Sequence, residues 1–269
     1  MLIWVCAMHC EAKPVIDFYR LKKSHENNAF DIYQGEEMTC VVSGIGKLSS
    51  AAATAWIAAR NSHAASLAWI NLGTAGAASE ELGSVFALDQ VIDADTGQAY
   101  YPAPGAESVL KGHSCLTLSE ASENYQADTL FDMEASGYFH SAMHFSSAEL
   151  TQGIKIVSDN RDQKTGKNRA STSALIEQHM TVIDQQATGL LALNRELGAL
   201  TIPTESWQQL TSLAHFSQTQ KNRLRVLWRY LLKRHPDPEN LMRQLGSCGS
   251  GKAVIETLEQ LSYQDSEGL

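Results

Sequence analysis

Four short segments carry residue types that could do chemistry together. Gly44-Ile45-Gly46 and Gly73-Thr74-Ala75-Gly76 each follow an apolar run. Glycine there lets the backbone approach a ligand and present its N–H groups, although it also makes ordinary strand-to-helix turns. Asp132-Met133-Glu134 sets two acids around an apolar residue where a helix is expected to begin, and Ser158-Asp159-Asn160 follows a strand ending at Val157. Acids at helix starts also serve simply as caps. The residues alone leave both readings open.

Other candidate motifs lack the context their chemistry needs. Gly246-Ser-Cys-Gly-Ser-Gly-Lys252 looks like a phosphate-binding loop, but Ala253 replaces the metal-binding hydroxyl and no strand is expected before it, so it reads as a loop between helices. His140 and His144 lie four apart on an expected helix without the acid of a zinc protease motif, and read as a packed or surface pair. No serine sits in a Gly-x-Ser-x-Gly elbow, and no cysteine carries a nucleophile motif, which removes covalent acyl chemistry. The 5 cysteines are odd in number and lack paired spacing, which favours a reducing compartment. Neither a metal nor a cofactor is expected.

The elements that must position these segments follow from the apolar pattern. Strands are expected near residues 2–7, 38–43, 67–72, 85–92, 114–118 and 153–157, separated by stretches of helical length, as in an α/β protein with a parallel or mixed sheet. Helices are expected over 49–60, 132–146 and 171–197, the last with Leu175, Ile176, Met180, Ile183, Leu190, Leu191 and Leu193 inward. After Pro203 strand formers thin out and helical spacing runs through 205–262, so the chain divides into residues 1–200 and a helical appendage over 201–269. In the appendage Leu224, Leu227, Trp228 and Leu231 share one face, while Lys221, Arg225, Arg229 and Lys233 recur every fourth residue on another. That stripe reads as a solvated or acid-paired face, with a nucleic-acid or other anion contact as the alternative.

With 43% hydrophobic and 19% charged residues, the 269-residue chain has the composition of a globular protein, which excludes disorder over most of its length. Its formal charge of −9 disfavours general nucleic-acid binding. The apolar opening from Leu2 to Met8 has no basic leader and soon meets His9, Cys10 and Glu11, so it reads as a buried strand. No stretch approaches the length of a membrane span. A cytoplasmic protein is expected.

Taken in order, Cys6-Ala7-Met8-His9-Cys10-Glu11, Ser43-Gly44-Ile45-Gly46-Lys47, Gly73-Thr74-Ala75-Gly76, Asp132-Met133-Glu134-Ala135 and Val157-Ser158-Asp159 resemble the signature segments of the nucleoside phosphorylase superfamily. The nearest likeness is to the nucleosidases that hydrolyse 5′-methylthioadenosine and S-adenosylhomocysteine, over roughly residues 1–200. The resemblance implies a three-layer α/β fold with a central mixed sheet flanked by helices, here with an added helical C-terminal region. It implies that Asp159 is the general acid toward the purine and is a buried carboxyl carrying the proton, and that Glu11 activates the attacking water. Thr74 would help bind that water, Glu134 would hold both ribose hydroxyls, Met133 would form the floor under the sugar, and Ile45 would line the ribose and its 5′ substituent. Gly76 would offer backbone to the ligand, and Ser158 would orient Asp159. Lys155 stands where these enzymes commonly have arginine, keeping the charge but losing the two-pronged fork.

The departures concern the base. Gly83-Ser84 replaces the usual Gly-Asp, and Leu118-Ser119-Glu120-Ala121-Ser122 occupies the place of the base-stacking aromatic without supplying a ring. Glu120 is then a candidate acceptor for a base N–H. Tyr100 and Tyr101 fall where a neighbouring subunit closes the site in this family, so a homodimer is expected. The resulting expectation is a purine nucleosidase acting on an adenosine-type or 5′-modified nucleoside. The alternatives are a phosphorylase, for which Lys47, Lys155 and the glycine loops would speak, and a non-catalytic nucleoside-binding or interaction protein.

Overall fold

The computed structural model describes residues 1–26, 28–61, 67–103, 108–121, 125, 127–161, 169–198, 202–234 and 238–267, the side chains of 263–267 excepted. The chain divides into two compact units, Met1–Arg195 and Glu196–Leu269. The boundary expected at 200/201 falls on residues outside those described.

In the first unit the apolar runs form β1 (Leu2–Cys6), β2 (Lys22–Lys23), β3 (Asp31–Gln34), β4 (Met38–Val42), β5 (Ala68–Ala77), β6 (Val85–Asp93), β7 (Ala99–Tyr100), β8 (Gly112–Thr117), β9 (Leu130–Asp132) and β10 (Thr151–Asn160). The helices are α1 (His9–Phe18), α2 (Lys47–Arg60), α3 (Ala135–Ala142), α4 (Arg169–Glu177) and α5 (Met180–Gly198). The sheet is mixed: β1 pairs in parallel with β4 and β5, and β10 in parallel with β5, while β10 runs antiparallel to β6. Because β10 pairs with both β5 and β6, the strands β5, β9, β8, β6 and β10 close into a ring, from which β1, β4, β3 and β2 extend.

Every side chain of β1 is buried, as expected for a strand covered on both faces. Ile3 and Val5 enter the core cluster that also holds Ala53 and Ile57 of α2 and Tyr138 and Phe139 of α3. Trp4, on the opposite face by alternation, meets Tyr19 just after α1. Helices therefore cover both faces of the sheet.

Two expected helices are shorter. The 132–146 segment begins as β9 and turns helical only at Ala135, because Asp132 completes the pairing with β8. The 171–197 segment is two helices, α4 tightening at its end through a His179 N–H to Ile176 carbonyl bond.

Helix α1 holds Pro14, which has no N–H to give to the carbonyl of Cys10. The Ser173 hydroxyl donates to that carbonyl instead, at 2.6 Å, tying α4 to the first turn of α1.

The second unit comprises α6 (Thr204–Ser212), α7 (Gln218–Arg234), α8 (Pro238–Leu245) and α9 (Gly251–Glu267) around its own core, which includes Leu224, Leu227, Trp228 and Leu231. On the basic stripe Arg225 stacks on Trp207, 4.9 Å from the ring centroid. The glycine-rich 246–250 segment is the loop between α8 and α9. No described helix is long and apolar enough to cross a membrane.

Removing the Ser173 hydroxyl leaves the Cys10 carbonyl without its donor. Ser173→Ala should cost about 1–2 kcal/mol in urea unfolding. Adding Pro14→Ala should recover part of that loss by restoring the helical N–H, whereas additive losses would contradict the assignment.

Candidate active site

The C-terminal ends of β1, β4, β5 and β10 lie side by side in the order β10, β5, β1, β4. A cavity of about 430 Å³ is lined by residues that follow or end these strands, joined by residues from the β8–β9 segment, β9 and the turn after it, and α4. All of its described lining belongs to the first unit.

Glu11 enters from the first turn of α1. Its Oε2 accepts the Met8 N–H at 3.1 Å, which also caps the helix, and its Oε1 accepts from the Thr74 backbone N–H at 2.9 Å and hydroxyl at 3.1 Å. These three donors fix a carboxylate that is only 3% exposed.

Glu134 stands at the start of α3, where Asp132 sets it. One oxygen of Asp132 accepts the Ala135 N–H at 2.8 Å, and its other oxygen accepts the Thr117 hydroxyl at 2.7 Å. Lys155, reaching from β10, pairs with Asp132 at 2.8 Å, and both side chains are almost wholly buried. Burial alone would push the Asp132 carboxyl up, but the Lys155 charge and the hydrogen bonds from Lys155, the Thr117 hydroxyl and the Ala135 N–H together outweigh it and hold the group below the usual carboxylate range. The same pairing, with Glu134 beside it, raises the Lys155 ammonium despite its burial.

Glu134 Oε1 accepts the Gly46 N–H at 2.8 Å. Gly46 has φ +100°, a conformation that side chains rarely adopt, so the loop can present this N–H only because the residue is glycine. Burial pushes the Glu134 carboxyl up to about 7, against the pull of Lys155.

Asp159 sits at the end of β10, where the register with β5 shifts after Val157. Its Oδ1 accepts the Ser158 hydroxyl at 2.8 Å, and its Oδ2 accepts the Tyr125 hydroxyl. It is half-buried, more open than the expected buried acid. Tyr125 was not legible in the sequence. Its ring, 5% exposed, tilts against Phe131 at 5.0 Å and lies so close over Gly76 that a Cβ there would collide with it. Tyr125 and Phe131 both line the cavity, so aromatic rings reach it from outside the 118–122 segment, which supplies none. Of the segment expected at the base, Leu118, Glu120 and Ala121 line the cavity and Ser122 lies outside the described residues.

The structure thus brings Glu11, Ile45, Thr74, Gly76, Met133 and Glu134 into one cavity, together with Ser158 and Asp159. Lys155 lies behind this wall rather than in it. Lys47 is held by Asp93 at 2.9 Å and Asp95 at 2.5 Å. Tyr100 meets His140, whose ring packs edge-on against His144, and Tyr101 is exposed. Among the described residues one group, Glu80, His113 and Asp128, has side-chain donor atoms close enough together to hold a metal ion, and none of the three lines the cavity.

No protein-family model and no curated protein matches the sequence. Solved structures do match the shape. The Arabidopsis thaliana 5′-methylthioadenosine nucleosidase superposes with a TM-score of 0.58 at 19% identity, over 69% of this chain and 95% of that one. The chain has the fold of the methylthioadenosine nucleosidases. The Helicobacter pylori 5′-methylthioadenosine/S-adenosylhomocysteine nucleosidase, bound to butyl-thio-DADMe-Immucillin-A, gives 0.58 at 12% identity over 70% and 97% of the two chains. The S. pneumoniae enzyme with the inhibitor MT-ImmA gives 0.54 at 18% over 68% and 96%. The matched share covers nearly the whole of each neighbour and leaves part of this chain over, as the added helical region requires.

The raised Glu134 carboxyl ties stability to pH. A carboxyl that binds its proton more tightly when folded contributes stability below its unfolded value near 4.5, and that contribution is lost as pH rises through about 7. Between pH 5 and pH 8 the native protein should therefore lose on the order of 2 kcal/mol relative to Glu134→Gln in denaturant unfolding. Parallel pH profiles for the two proteins would contradict this.

Proposed function

We propose that the protein is a purine nucleosidase, hydrolysing the N-glycosidic bond of an adenosine-type or 5′-modified nucleoside with the unit of residues 1–195. The observation that carries this reading is the convergence of Glu11, Glu134 and Asp159, from three separate elements, on one cavity. Hydrolysis breaks the bond between C1′ and the base nitrogen and forms one between C1′ and water oxygen. Glu11 takes the proton that water gives up, and Asp159 gives a proton to the purine ring nitrogen, so that the base leaves neutral. Glu134 accepts hydrogen bonds from the two ribose hydroxyls, a task its two oxygens suit. Met133 and Ile45 supply apolar wall to the sugar, and Phe131 and Tyr125 supply it to the base.

The nucleosidase fold supports this reading, as do the ligands named for its neighbours, which include adenine and two immucillins. The pairing of Lys47 and Lys155 with aspartates weighs against the phosphorylase alternative, because neither ammonium is left to hold a phosphate dianion.

The test is release of free purine from a nucleoside panel, with and without phosphate, followed by mass spectrometry. Release without phosphate is expected. Asp159→Asn should lower turnover by about 10²-fold or more while the protein still melts cooperatively, and Glu134→Gln should chiefly raise KM. Release only with phosphate would make it a phosphorylase, and binding with no release in either condition would make it a binding protein.

A further inference from the structure

Arg169 opens α4 and lines the cavity. Among the described residues its guanidinium has no hydrogen-bond or ion-pair partner, in contrast to Lys47, Lys155 and Arg195, each of which meets a carboxylate. The other charged groups in the described wall are acids: Glu11, Glu120, Asp132, Glu134 and Asp159. An exposed cation at the edge of this cavity, with no partner among the described residues and only acids as the other charged lining, is positioned for an oxyanion that the ligand brings.

Its location assigns that oxyanion to one part of the ligand. Under the nucleosidase reading, on which this inference rests for the orientation of the sugar, the base lies toward Asp159 on β10. The two ribose hydroxyls lie toward Glu134, which is bonded to the loop after β4. The strand order puts β5 and β1 between them. A ribofuranoside has one further substituent direction, the 5′ carbon, and the wall not yet assigned includes Met8, Cys10 and, from α4, Arg169, Ser171, Thr172 and Leu175. The Ser173 to Cys10 bond holds α4 against the first turn of α1. The other charged side chains of the described lining are carboxylates, which repel an anion.

We propose that the preferred substrate is a nucleoside with an anionic 5′ group, phosphate or carboxylate, recognised by Arg169. A neutral 5′-methylthio group leaves the guanidinium unanswered.

The experiment compares kcat/KM for base release from adenosine bearing a 5′-phosphate, 5′-carboxylate, 5′-methylthio or 5′-hydroxyl group, in native protein and in Arg169→Gln. One or both anionic nucleosides should exceed the methylthio nucleoside by roughly 10- to 100-fold, the worth of hydrogen bonds to a charged group. The ranking of phosphate against carboxylate identifies which oxyanion fits. Arg169→Gln should erase the preference mainly through KM, with melting unchanged. The proposal is overturned if the methylthio nucleoside is preferred, if the preference survives in Arg169→Gln, or if inorganic phosphate accelerates cleavage of the neutral nucleosides through Arg169. If no nucleoside is cleaved, the nucleosidase reading fails on its own. Calorimetric binding of the same panel then decides Arg169: tighter binding of anionic ligands, lost in Arg169→Gln, supports it, and equal binding of all four sinks it.

Discussion

The buried pair between Lys155 and Asp132 is the interaction on which the site depends. Lys155 belongs to β10, the strand that carries Asp159, and Asp132 ends β9 and caps α3, which begins just after Glu134. One ammonium therefore links the strand that presents Asp159 to the turn that presents Glu134. Removing either partner of such a pair leaves an uncompensated charge in a dry interior, at a cost of about 3–5 kcal/mol. It would also free Glu134 from the geometry that brings it to Gly46.

Around that pair the carboxylates are kept apart chemically by their surroundings. Glu11 is held by backbone and hydroxyl donors, and Asp132 is paired with an ammonium. Glu134 has one backbone donor and a burial cost that lifts its proton affinity into the neutral range. Asp159 is more open and is met by two hydroxyls. Carboxyl groups of the same chemistry, brought to one cavity, are thus given different surroundings by their neighbours.

Much of this was legible in the sequence because it is written locally. β1, β4, β5, β6, β8 and β10 announce themselves as apolar runs, and the glycines and acids fall in the last residues of strands or just beyond them, although Gly73–Gly76 continues β5 rather than forming a loop. What escaped was written in tertiary contacts. β9 is three residues long and exists by pairing with β5 and β8, so Asp132 read as helix. The break between α4 and α5 is invisible in the pattern because Ile176, Met180 and Ile183 keep helical spacing across it and are all buried. Tyr125 stands alone in a polar stretch, and nothing local says that its ring lies over Gly76 and its hydroxyl meets Asp159. Gly76 was the indirect signal, since a glycine in a strand end that must admit close contact says that something comes near. Arg169 follows the same rule: its importance lies in having no partner among the described residues, which no sequence pattern displays.

The most direct measurement is a crystal structure of the Asp159→Asn protein with a bound nucleoside that the native protein cleaves. The account predicts the ribose hydroxyls on Glu134, the purine between residue 159 and the Tyr125–Phe131 pair, and C1′ facing Glu11. A nucleoside seated elsewhere, or turned so that Glu134 and residue 159 do not address the sugar and the base of the same molecule, would contradict it.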